Sequence, residues 1–154
     1  MTLADISDLS QALGAVAVVG SLIFVSIQIR QNTAATRAAS HHAVSDALNQ
    51  LNVLFAENAE VTRIFLSGLN DRQGLTKDEQ WRFDAVCRAY LHVCETMFVQ
   101  ATLGAGDRGI VLAEENGIKT VFAAPGMKEW WAQNPYGFSA AFRGYVDRLA
   151  KSSE

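Results

Sequence analysis

The chain has 154 residues, the size of one domain, and its 49% apolar and 19% charged side chains exclude a disordered acidic chain. Thirteen Lys and Arg against sixteen Asp and Glu leave a net charge of −3, which gives no electrostatic footprint for DNA or RNA. Two Pro and eleven Gly exclude collagen-like and low-complexity classes, and two Cys do not make a disulfide scaffold.

The charge is unevenly spread. From Leu9 to Ile29 the chain reads LSQALGAVAVVGSLIFVSIQI, with no charged residue. At about 1.5 Å per residue that segment makes a helix about 31 Å long, matching the roughly 30 Å hydrocarbon core of a bilayer. The reading is a membrane-spanning segment over residues 1–30 and a helical domain over residues 31–154. A second reading, the central helix of a soluble bundle, stays open through Ser10, Gln11, Ser21, Ser26 and Gln28. Asp5 and Asp8 precede the segment with no Lys or Arg, unlike the basic start of a cleaved secretory signal. Arg30 and Arg37 follow it, so the positive-inside rule places the N-terminus outside and the C-terminal domain in the cytoplasm.

Ser10, Gly14, Ala17, Ser21 and Gln28 recur at helical spacing and share one face of this segment. Small residues in a line let helices approach closely, and a Gln in lipid bonds to a neighbour. The stripe is a candidate helix-packing seam, for a second copy or for another membrane protein.

The rest of the chain reads as helix, without the strict alternation of strands. Val44, Ala47, Leu48, Leu51, Leu54 and Phe55 mark one face of a helix continuing from the apolar segment to about Ala56. A short helix follows around Glu60–Leu69, with Val61, Ile64, Phe65 and Leu69 inward, and Asn70–Gly74 makes a polar turn. Thr76-Lys77-Asp78-Glu79 is a capping box. It opens a long helix whose inward face carries Phe83, Val86, Cys87, Tyr90, Cys94, Met97, Phe98 and Ala101, and Gly104 supplies the stop. A fourth helix runs from near Asp107 to Ala124, with Glu115-Asn116-Gly117 as a tripeptide able to end a helical turn. Pro125 starts a short helix carrying Met127, Trp130 and Trp131, and a last helix uses Phe138, Phe142, Tyr145, Val146 and Leu149. The fold class is therefore all-α, an N-terminal transmembrane helix continuing into a bundle-like domain.

Cys87 and Cys94 stand two helical turns apart, about 10 Å, too far for a disulfide and at the wrong spacing for a zinc pair. His92 and Glu95 reverse the Glu-x-x-His order of carboxylate-bridged metal sites and occur once. His41 and His42 point about 100° apart and do not readily share one ion. Trp130 and Trp131 fit either a membrane interface or a core and subunit contact. No G-x-S-x-G, Walker A, H-E-x-x-H or Rossmann pattern is present, so neither an enzyme nor a cofactor or metal site is expected.

The run AVAVVGSLIFVSIQIRQNTAATRAA, the later PGMKEWW and the Phe-rich last helix resemble a broad group of small uncharacterised bacterial proteins. Those proteins pair one membrane helix with about 100 residues of α-helix. The resemblance implies a bacterial inner-membrane protein and brings no catalytic residues. The function expected is a non-enzymatic accessory or scaffold protein whose partners are the lipid bilayer and a second copy or another membrane protein. The alternative is a membrane-tethered sensor, with a small-ligand pocket formed by Cys87, Tyr90, Cys94, Trp130 and Trp131.

Overall fold

A computed structural model describes residues 3–104 and 108–151, and the side chains of these except 3–10, 12, 108 and 110. The expected helix start at Asp107, most of the Gly104–Asp107 turn and the Ser152–Glu154 tail fall outside the described residues. Among those described there are six α-helices and no strand, so the fold is all-α. Two compact units divide the chain, Met1–Ala38 and Ala39–Glu154. Helix α1 (Leu3–Glu57) supplies the first unit and opens the second.

In the first unit every described side chain from Gln11 to Ala38 is exposed. Among the described residues one helix, α1, is long and apolar enough to cross a membrane, and none of its most apolar window, of mean hydropathy 1.9, is buried. Leu13, Val16 and Leu22 each expose more than 60% of their surface. Its described hydroxyls are satisfied within the helix, as where Ser21 donates to the Ala17 carbonyl at 2.9 Å and Ser26 to the Leu22 carbonyl at 2.8 Å. That internal pairing meets the demand lipid makes of polar groups.

The second unit is built by local signals. Asn58, extended at φ −121°, ends α1, and its Oδ1 accepts from the Val61 N–H at 3.0 Å to cap α2 (Ala59–Asn70). The capping box opens α3 (Lys77–Thr102) as the sequence predicts. Thr76 Oγ1 accepts from the Glu79 N–H at 3.3 Å, and Glu79 Oε2 accepts from the Thr76 N–H at 2.9 Å. Gly104, at φ +70°, follows the last turn, a left-handed position that suits glycine. Helix α4 (Arg108–Phe122) passes through Asn116 and Gly117 without ending there. Pro125 starts α5 (Pro125–Gln133), and Ser139 Oγ accepts from the Phe142 N–H at 3.3 Å to cap α6 (Ala140–Lys151).

The apolar stripes of these helices, with Val44 of α1, meet in one core around Phe83, Leu91, Phe122, Met127, Trp130 and Phe142. Leu91, fully buried, lies beside the inward positions read from the sequence. Helices α2 and α5 approach through two glycines. A Cβ on Gly126 would overlap the Gly68 carbonyl oxygen, and a Cβ on Gly68 would overlap the Phe83 ring. The Asn70–Gly74 turn is more than polar punctuation, because Arg72 is only 8% exposed. Its guanidinium donates twice to Asp84, both at 2.9 Å, and once to Gln133 Oε1 at 3.0 Å, tying the turn to α3 and α5.

Candidate functional site

Two sets of residues carry the functional candidates, one in each unit. On α1, Gly14, Ala17, Ser21 and Gln28 are all exposed, while the Ser10 side chain lies outside those described. A Cβ added at Gly14 or Gly20 meets no atom within 4 Å. Among the described residues nothing therefore requires a small residue at either position.

In the second unit, Cys87, Cys94, Trp130 and Trp131 all belong to the buried core, and Tyr90 packs against it. Tyr90 OH donates to Glu114 Oε1 at 2.6 Å, and Cys94 Sγ lies 4.0 Å from the same oxygen. Gly117 eases this approach, since a Cβ there would stand in tight contact, 3.0 Å from Glu114 Oε1 and 3.2 Å from the Tyr90 hydroxyl. Next to it on α4, Glu115 Oε1 accepts from Tyr145 OH at 3.0 Å, so two adjacent carboxylates hold α4 to α3 and α6.

Burial pushes both thiols up, helped at Cys87 by the Asp84 charge and at Cys94 by the Glu114 charge. Both stay protonated at neutral pH, unlike the exposed, low-pKa thiols of nucleophilic sites. Burial likewise raises the Tyr90 phenol, with Cys94 and Glu114 adding to it. His92 Nδ1 stands 3.6 Å from Glu95 Oε2, and no group of three or more potential metal ligands occurs among the described residues.

The tryptophans are core residues with different neighbours. Trp131 donates from Nε1 to Asp147 Oδ1 at 2.8 Å and takes the Arg143 guanidinium on its ring at 4.1 Å. Trp130 is wholly buried with Arg88 5.8 Å from its ring centre, and its Nε1–H has no partner among the described residues. The cavity beside Cys94, also lined by Met97, Phe98, Glu114 and Tyr145, measures about 10 Å³, room for about one water. Larger surface hollows lie elsewhere. One of about 260 Å³ runs along Ala43, Val44, Ala47, His92, Val93 and Thr96, and one of about 230 Å³ is lined by Phe122, Lys128, Trp131 and Asp147.

Glu114 is not singled out in the sequence and Glu115 is read there only as part of a turn, although a signal exists. Glu114 interrupts the inward stripe of Val111, Ile118 and Phe122, and a carboxylate in an apolar stripe calls for a buried donor. The roles of Arg88, Arg143 and Asp147 depend on contacts 9 to 46 residues away along the chain and leave no local pattern. No family model matches the chain, and no curated protein or solved structure matches it.

Proposed function

We propose that the protein is a non-enzymatic accessory or scaffold subunit. Residues 9–29 of α1 anchor it in a bacterial inner membrane, and Ala39–Glu154 forms a cytoplasmic interaction domain. The observation carrying this reading is the uncharged stretch of α1, which is exposed along its described length instead of packed into a core. The stripe of Gly14, Ala17, Ser21 and Gln28 supports packing against a neighbouring helix, because all four are exposed and, among the described residues, nothing lies within 4 Å of a Cβ added at Gly14. The excess of Arg30 and Arg37 supports the orientation. The raised thiols and the one-water cavity at Cys94 favour a structural core over a reactive centre.

Fractionation tests the anchor. The full chain is expected in the membrane pellet after an alkaline carbonate wash and in solution only with detergent. Recovery in the carbonate supernatant overturns it. For the seam, Gly14→Leu with Ala17→Leu is expected to lower the oligomer size or strip a co-purifying partner in mild detergent. An unchanged complex contradicts it.

A further inference from the structure

We propose that the exposed face of α3 seats a second copy of this chain, packed antiparallel about a two-fold axis near His92. The inference rests on the self-packing part of the reading above, but not on the membrane helix.

Trp81, Ala85, Ala89, His92, Thr96, Val99 and Leu103 are all exposed and fall at intervals of three and four, a seam along one side of α3. Trp81 exposes 78% of its surface, Leu103 77% and Val99 42%. No charged residue lies on this line, whereas Lys77, Asp78 and Arg82 crowd the adjoining surface near its start.

The order of sizes selects the partner. Bulky residues stand at both ends and small ones between, so a second α3 turned over about His92 sets Trp81 against the partner copy's Leu103 and Ala85 against its Val99. Large then meets large at the rim, and small meets medium nearer the centre. A parallel pair would instead stack Trp81 on itself and leave the alanines facing each other across a gap. The same two-fold brings Arg88 opposite the partner copy's Glu95, and Glu95 opposite its Arg88. Charge as well as shape is therefore self-complementary, as an isologous interface requires. Arg88 has spare donors, since its only hydrogen bond among the described residues runs from Nη2 to Asn134 Oδ1 at 3.2 Å. Glu95 is partly engaged already, Oε1 accepting from the Ser139 N–H at 2.7 Å.

The seam is about 33 Å long and about 10 Å wide. Covering it buries on the order of 1,200 Å² in both copies together, the lower edge of stable specific interfaces. A pair of moderate affinity follows, reinforced by any second contact between the copies.

Cysteine crosslinking of the full chain in detergent micelles under mild oxidation tests the geometry. The buried native thiols are expected to stay out of the reaction. A disulfide dimer is expected from His92→Cys alone, and from Ala85→Cys chains mixed with Val99→Cys chains, but not from Ala85→Cys alone. Crosslinking of Ala85→Cys with itself, or no crosslink in either expected case, overturns the proposal. Sedimentation equilibrium in density-matched detergent gives the energetics. Trp81→Asp with Leu103→Asp is expected to raise the dimer Kd about 30-fold or more, with an unchanged melting temperature at concentrations where both chains are monomeric, because both side chains are exposed. If that variant dimerises like the original chain while Gly14→Leu with Ala17→Leu does not, the α3 seam is wrong and the membrane-helix seam stands. A chain monomeric throughout overturns both.

Discussion

The two units use glycine and polar side chains in opposite ways. On the exposed part of α1, Gly14 and Gly20 touch nothing and hydroxyls bond to their own helix. In the second unit, Gly68 and Gly126 lie in a helix crossing with no room for a Cβ, and the polar groups of Arg72, Tyr90 and Trp131 reach across to other elements. The difference shows where each region finds its partners. The second unit builds its core within itself and keeps the α3 face open, whereas α1 leaves its whole apolar surface to whatever surrounds it.

The largest effects expected come from breaking the internal packing. Gly126→Ala drives a methyl group into the Gly68 carbonyl and is expected to destabilise the second unit by about 3 kcal/mol or more, read by urea or thermal unfolding. Gly20→Ala is its control in α1, and no loss of stability is expected there. A similar loss at both sites would erase the contrast. Arg72→Met strands the Asp84 carboxylate, and Asp84 keeps some access to water, so a loss of about 2–3 kcal/mol is expected in the same assay.

Smaller effects sharpen the comparison. Tyr90→Phe removes the donor to Glu114 at the α3–α4 contact and is expected to cost about 1–2 kcal/mol. Faster amide exchange should appear first in α4. The smallest effect concerns pH. Hydrogen bonds from Arg63, and from the backbone and hydroxyl of Thr76, hold the Glu79 carboxyl down at about 2, against an ordinary value of 4.5. A depressed carboxyl stabilises the fold above its unfolded value and loses that contribution as the pH falls towards 2. The stability difference between the original chain and Glu79→Gln is therefore expected to be full at pH 7 and to shrink between pH 5 and 2. A difference independent of pH contradicts the cap's ionic character.

What was legible in the sequence was local. Thr76 and Glu79 stand three residues apart and make their hydrogen bonds to each other, so the capping box could be read directly. The α3 stripe gave the core positions of Phe83, Cys87, Cys94 and Met97 through periodicity alone. Arg72 was read only as part of a turn because its partners lie 12 and 61 residues away. The Gly68–Gly126 crossing was illegible for the same reason, since a glycine within a helix does not announce what approaches it. Of the candidate pocket, Cys94 and Tyr90 meet at Glu114, while Trp130 and Trp131 make their closest polar and cationic contacts with other partners. Helical spacing sets the face on which a residue lies and leaves its tertiary neighbour open.

The central claim is that α1 meets lipid where the second unit meets itself. A nitroxide on Val18→Cys in proteoliposomes tests it, because the buried native thiols resist labelling. Power-saturation spectroscopy would compare its accessibility to oxygen, which concentrates in the bilayer, with its accessibility to a water-soluble nickel chelate. Expected is high oxygen and low nickel accessibility. High nickel accessibility would place Val18 in water and contradict the membrane anchor.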